Sequence, residues 1–512
     1  MSTRPHPTSA TMLMRHHQHA SNHHLHTTMS SPSQSQTILV EPPTPFTVVS
    51  DWNTHPKNAR NWSKFRKTYT TLIVSTIGFV STLATSIYAP GSDDVSREFN
   101  VSLTVALLPL SFYALGMGFG PMVASPLSET LGRKAVYLAT TPIFAIFILG
   151  SGFSQSIYSL CICRFFAGLF GAPGVSIASA TIADIIPADK RGMPLAVYYS
   201  MPFIGSLIGP MIGGVVVEWK GWRWTQWTTL FFAAAVFPLV GFIHESYRAV
   251  LVQRITQKEN GGSRLDGGPR KTKGQVLKHF FTTTVSRPVH MLFTEPIVGF
   301  VCLYCSFQFA LLYTFIVGTP YVFTTTYKFS VGQQSLSFFG LIIGAVFAAI
   351  TLVIMDKSIY QRKYQLFHAT SPTLEFPPEH RLYPSMIGSL LTPIGLFFFA
   401  WTTRSDIHWA VPIIAQGLAM FGSILTYVSA NSYMVDTYGA LYGASAAGAN
   451  SLVRYMLTAS FPLFTLQMYQ KLGIGWTASL LALCTVGMTP IPWVFWVWGP
   501  KLRGRSKYEK EM

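Results

Sequence analysis

Two arginines stand where a charge is costly. Arg164 lies inside an apolar run near residues 158–182, and Arg454 lies inside another near 442–465. A guanidinium keeps its proton at any useful pH, so an arginine in such a run must be paired, hydrated or able to snorkel to water. Its chemistry is electrostatic. The complementary chemistry, proton exchange, needs a group whose proton affinity changes with its surroundings. None of the 20 Asp and Glu residues falls clearly in the middle of an apolar run, so the candidates sit at the rims. They are Glu129, Asp184 and Glu245 on one side, Asp93, Asp94 and Glu218 on the other, and Glu295 and Asp436 beside helix ends; Asp184 and Glu129 are favoured. No Ser/His/Asp grouping, metal cluster or phosphate-binding glycine loop lies on a run or its rim, which argues against an enzyme and against a cofactor or metal.

The runs set the class. Of 512 residues, 49% are hydrophobic and only 11% are charged, too few to cover a water-soluble globule of this length. At about 20 residues per span, twelve candidates lie near 68–90, 103–124, 135–156, 158–182, 193–217, 224–244, 297–322, 334–355, 384–402, 408–431, 442–465 and 475–498. This is the pattern of an all-α membrane protein. The net charge of +17 sits in short segments between the runs, which marks orientation in a bilayer and not a nucleic-acid partner. With the N-terminus placed in the cytoplasm, inside segments hold 27 Lys and Arg and outside segments six, so both termini are expected to be cytoplasmic.

Residues 1–64 are rich in Ser, Thr, Pro, Gln and His, with no core-forming run or signal peptide, and read as a disordered cytoplasmic tail. Its cluster of His16, His17, His19, His23, His24 and His26 reads as polar low complexity rather than a metal site. The spans divide into bundles at 65–247 and 291–498, joined by a basic cytoplasmic loop at 248–290 suited to an anionic leaflet and followed by a tail at 499–512. Cys161, Cys163, Cys302, Cys305 and Cys484 all lie in apolar runs and read as inert packing. Asn100-Val101-Ser102 is an outward-facing glycosylation triplet.

The fifth run contains Gly205, Gly209 and Gly213 at spacing four, with Pro210 and Gly214 beside them. The three glycines share a helical face and leave a groove for close packing, while Pro210 cannot donate to the carbonyl of Ser206 and should loosen the helix. Comparable faces occur on the second run (Gly116, Gly120), the eighth (Gly340, Gly344, Ala348) and the eleventh (Ala444, Gly448). The expectation is that runs 2, 5, 8 and 11 form a shearable seam between two six-helix halves, with the eighth receiving the fifth.

The fifth-run block matches the antiporter signature of the major facilitator superfamily, G-x-x-x-G-P-x-x-G-G, and resembles its drug:proton antiporter branch. Ser125-Pro-Leu-Ser-Glu129-Thr-Leu-Gly132-Arg133-Lys134 is similar to the superfamily's loop G-x-L-a-D-R-x-G-R-K, with Ser125, Glu129 and Thr130 departing from it. Arg164 with Gly168 resembles the second signature, and Ala183-Asp184 through Arg191-Gly192 resembles the loop after the fourth helix. Trp222-Arg223-Trp224, Arg381-Leu-Tyr-Pro384, Pro393 through Thr402 and Asn450 through Phe464 resemble fungal multidrug-resistance and polyamine-type exporters, over about residues 66 to 498.

That resemblance implies a major facilitator fold of twelve transmembrane helices in two six-helix bundles, a plasma-membrane address and a monomer exchanging small molecules for protons by alternating access. It gives Arg164 the role of altering a nearby carboxyl; with the charge arguments above, the expected proton-coupling and gating set is Glu129, Arg133, Lys134, Arg164, Asp184, Arg191 and Arg454, Glu129 being placed to cap the next helix or pair with Arg133. It places helices 1, 4, 7 and 10 around the cargo, which makes Tyr88, Tyr304, Gln308, Tyr313 and Gln416 cavity candidates. The 14% aromatic content without a central carboxylate suits bulky, neutral or weakly cationic drug-like or secondary-metabolite compounds. A polyamine exporter, a proton-independent facilitator and a non-transporting receptor or scaffold are the alternatives.

Overall fold

A computed structural model of the chain describes residues 52–187, 190–259, 282, 286–371, 376–506 and 508. The histidine cluster and the Arg270–Lys273 stretch lie outside them. Among the described residues every regular element is helical. Twelve long helices correspond to the twelve apolar runs. In the first half they are α1 (Lys64–Ser86), α2 (Leu108–Thr130), α3 (Arg133–Gly152), α4 (Ile157–Ile185), α5 (Gly192–Lys220) and α6 (Arg223–Gly241). In the second they are α7 (Pro296–Tyr327), α8 (Phe339–Met355), α9 (Tyr383–Thr402), α10 (Ala410–Gly439), α11 (442–472) and α12 (474–503). Among the described residues ten stretches are long and apolar enough to cross a membrane; the last of these, Tyr442–Arg503, holds both α11 and α12, and α6 is not among the ten.

Local chemistry fixes these boundaries. Ser63 and Ser156 accept from backbone N–H groups at the starts of α1 and α4, satisfying donors that a helix leaves orphaned. Pro296 opens α7, where a missing N–H costs nothing. The α10–α11 and α11–α12 corners turn on Gly439 and Gly473, whose φ of 55° and 78° suit a residue without Cβ. Pro90 cannot continue α1 beyond Ser86, so the last α1 carbonyls must find other donors.

The glycine faces correct one expectation. A Cβ on Gly205 would meet Phe79 and Thr82, and one on Gly213 would meet Ile87, so the α5 face seats α1 and not α8. Gly116 and Gly120 seat α4, while Gly340 and Gly344 seat α10 against Ile413 and Gly417. These faces weld helices within each half. Close backbone approach is what a small-residue face offers, and a partner in the same bundle takes it first. Across the halves, a Cβ on Gly118 would stand 3.1 Å from Tyr455 Cβ, one on Gly214 would meet Ser335, and Gln467 Nε2 donates to Thr104 Oγ1 at 3.2 Å.

Residues 52–63, which composition assigns to a disordered tail, have a defined fold. Asn58 donates to Trp52 O and Asn61 to Asn53 O, at 3.0 and 2.7 Å, while Ala59 and Trp62 are buried beside Ile185. Trp62 also packs under Arg66 and against His244. Burial and the nearby Arg66 and Lys134 charges hold the His244 imidazole below its ordinary proton affinity.

Candidate functional site

Both intramembrane arginines are buried, and neither pairs with a carboxylate among the described residues. Arg164, fully buried on α4, donates through Nη1 to Ala84 O at 2.7 Å and through Nη2 to Thr85 O at 2.9 Å. Those carbonyls belong to the last turn of α1, where a helix carries partial negative charge. The Tyr113 and Tyr88 rings flank the guanidinium at 4.5 and 5.3 Å. Arg454, 3% exposed on α11, rests over Tyr455 at 4.4 Å, Phe309 at 4.9 Å and Tyr427 at 5.6 Å. Cation–π contact replaces an ion pair there.

An aromatic core surrounds Arg454 where the halves meet. Phe203 of α5 contacts Phe309 of α7 and Tyr427 of α10, each with ring centres 4.9 Å apart. Tyr313 continues the cluster and interacts electrostatically with both Arg164 and Arg454. Among the described residues both amide atoms of the buried Gln308 have no hydrogen-bond partner, while the buried hydroxyls of Tyr313 and Ser206 interact with each other and that of Tyr455 with Arg454. Buried groups left unpaired are costly, which marks the Gln308 amide as open to a ligand. Two of the other expected cavity residues, Gln416 and Tyr88, are hydrogen-bonded to backbone, and the third is buried. Gln416 donates to Ser337 O and accepts from Thr319, Tyr88 OH donates to Ala106 O, and Tyr304 is buried on α7.

The rim charges form two related clusters on the face that carries the ends of α2 and α4. Arg133, opening α3, bonds Asp184 at the end of α4 through Nε at 3.3 Å, and also donates to Ser128. Ser246 Oγ donates to the same Asp184 oxygen at 3.3 Å. Glu245, not Glu129, caps α3: its Oε1 accepts from the backbone of Arg133 at 2.9 Å and Tyr247 at 3.0 Å, and its Oε2 from Lys134 at 3.2 Å. Gly132, with φ of 99°, leaves the space this carboxylate fills. Glu129 is exposed at the end of α2, Lys134 Nζ donates to Gly241 O, and Arg191 donates to Ala183 O and Ile186 O, closing the α4 terminus. In the second half Arg381, just before α9, bonds Asp356 at 3.0 Å and Asp436 near the end of α10 at 2.9 Å, and Arg503 bonds Glu379 at 2.8 Å. Third-helix start to fourth-helix end is thus tied by an Arg–Asp pair in both halves.

Sequence reasoning set Arg381 in a motif without a role and passed over Asp356, Glu379 and Glu98. Glu98 accepts from Trp222 Nε1 and Arg223 Nη1, both at 2.7 Å, and explains the Trp-Arg-Trp motif. The repeat of helix number between the halves could have pointed to Arg381 and Asp436.

Beside the second cluster lies an open cleft between α5, α8, α9 and α10. Its rim carries Asp356, Arg381 and Asp436, and its walls include Tyr199, Val428 and Ser429. A cleft between the halves with charges at its rim offers a small molecule a place to enter.

The Major Facilitator Superfamily model matches residues 74–462. The chain is 34% identical to Polyamine transporter 4 of Saccharomyces cerevisiae, over 90% of this chain and 73% of that protein. It is 36% identical to the Major facilitator superfamily multidrug transporter mdrA of Aspergillus fumigatus, over 91% and 76%. Its fold is similar to that of the proton:xylose symporter XylE, with a TM-score of 0.61 and 16% identity over 88% of this chain and 99% of that one. A multi-pass helical membrane protein and not an enzyme, the chain belongs to the major facilitator superfamily as one of its transporters.

Proposed function

We propose that the protein exports amphipathic drug-like or secondary-metabolite compounds from the cytoplasm by proton antiport, its two halves rocking about the aromatic core. The observation that carries this reading is the meeting of Phe203 with Phe309 and Tyr427 between the halves, beside a Gln308 amide with no partner among the described residues. Flat apolar rings with a few free polar groups recognise bulky amphiphiles. Asp184 and Glu129 are the proton-coupling candidates; Arg133, Lys134, Arg191 and Arg381 hold the cytoplasmic rim, with both termini on that side and the plasma membrane as the address. The excess of 27 basic residues on that side against six opposite supports the orientation. Efflux names among the relatives, such as Efflux pump FUB11 of Gibberella moniliformis, support the direction.

Polyamine export is the second reading. It is favoured by the relative of that name and by Asp356 and Asp436 on the cleft rim. Purified protein in liposomes decides between them. The first reading expects a proton gradient to drive an amphipathic aromatic dye across the membrane and to leave spermidine behind. Dye movement indifferent to the gradient leaves a facilitator, and no movement of any probe leaves a receptor or scaffold.

A further inference from the structure

The centre of this protein is cationic without an internal counter-charge. Arg454 has no ion pair among the described residues, and its Nε has no hydrogen-bond partner. Rings satisfy its faces only. Arg164 differs, because its two terminal nitrogens are held by α1 carbonyls. A guanidinium cannot shed its charge to relieve burial, and an uncompensated buried charge is among the costlier features a fold can hold. Such a group persists where a ligand supplies the missing anion.

The surroundings agree. The buried hydroxyl of Tyr455 interacts with Arg454 itself and those of Tyr313 and Ser206 with each other, and all three are groups able to turn and donate to anionic oxygens. The cleft between α5, α8, α9 and α10 is lined by Val428 and Ser429, one and two residues along α10 from Tyr427, the ring that contacts Arg454. A polycation moving inward would meet Arg454 with like charge. An amphiphile bearing a carboxylate would meet a planar fork suited to bidentate pairing.

We propose that Arg454 is the recognition centre for an anionic cargo, an aromatic organic acid whose carboxylate pairs with the guanidinium while its ring packs on Phe203, Phe309 and Tyr427. This deepens the export reading and rests on it. It also replaces the neutral or weakly cationic cargo expected from composition alone.

Three probes of one shape test it: naphthoate, naphthylmethanol and naphthylmethylammonium. Binding is measured on the purified full-length protein in nanodiscs, and flux in liposomes. Naphthoate is expected to bind more tightly than the ammonium by about ten- to hundredfold, the factor of a charge-assisted hydrogen bond. Arg454→Gln is expected to erase that preference, and Arg454→Lys to retain part of it. Equal or tighter binding of the ammonium by the unmodified protein overturns the proposal without any variant, as does unchanged naphthoate binding by folded Arg454→Gln. If the ammonium is the probe exported, the export reading stands and this assignment falls. If none of the three crosses faster than through empty liposomes, the export reading falls and takes the cargo assignment with it.

Discussion

Arg164 donates to the carbonyl of Thr85 at 2.9 Å, so the fourth helix grips the last turn of the first by its exposed backbone. On the same turn, the space where Gly209 would carry a Cβ is filled by Ser86 and Ile87. Two sequence motifs far apart in the chain, the membrane arginine and the glycine face of α5, therefore act on one structural element. The turn exists because Pro90 ends α1 there and leaves its carbonyls unclaimed. Displacement of α1 relative to α4 or α5 must break one of these contacts, which makes the turn a point where motion in the first half is restrained.

Replacing Arg164 with Lys keeps the charge but offers one ammonium where two carbonyls are spaced for a fork. The expected result is a loss of about 1–3 kcal/mol in unfolding free energy of the purified protein, in the range of one or two charge-assisted hydrogen bonds. Unchanged thermal stability of Arg164→Lys would show that the Ala84 and Thr85 contacts are not restraining.

At Gly209 an added methyl must push on Ser86 and Ile87, backbone included. Gly209→Ala is expected to cost about 1–3 kcal/mol by overpacking and to lower transport in proportion. Gly487→Ala is the control, since no atom lies within 4 Å of the Cβ it would add. Equal stability of the two variants would refute the assignment of this face to α1.

The two clusters of rim charge separate Glu245 from Glu129. Glu245→Ala removes an acceptor shared by the backbone amides of Arg133, Lys134 and Tyr247, and is expected to destabilise the protein by about 1–2 kcal/mol, the worth of a helix cap. Glu129→Gln alters an exposed side chain and is expected to leave stability within about 0.5 kcal/mol. Thermal denaturation of both variants, run with Asp184→Asn, reads the difference directly. Comparable losses at Glu129 and Glu245 would return the cap to Glu129.

The helices were legible because hydrophobic runs and glycine breaks are local properties. All twelve runs correspond to helices, and even the short link between the third and fourth runs appears as residues 153–156. The partners of side chains were not legible. Gly205 and Gly209 announce close packing, yet nothing in their spacing says whether α1 or α8 fills the groove. Glu245 lies more than a hundred residues from the helix it caps, and Glu129, only four from Arg133, is the nearer candidate by sequence while facing solvent. Arg164 invited a search for a carboxylate because side-chain charges can be read from a sequence and orphaned backbone carbonyls cannot.

Rocking of the halves predicts that a bond across the seam stops transport. Gln467 on α11 and Thr104 before α2 touch at 3.2 Å, on the face opposite the two rim clusters, and each belongs to a different half. Both are polar and lie near water, so Thr104→Cys with Gln467→Cys should fold, and an oxidant should join them if their backbones come within disulfide reach. The five native cysteines, all within or beside spans, are replaced first. Oxidised protein is expected to lose nearly all exchange and to recover it on reduction, because the face held shut by the bond can then open again. Each single cysteine variant should be indifferent to oxidant. Full transport by the demonstrably cross-linked double variant would mean that the ends of α2 and α11 beside Thr104 and Gln467 never separate during the cycle, and two halves that cannot part there cannot alternate access.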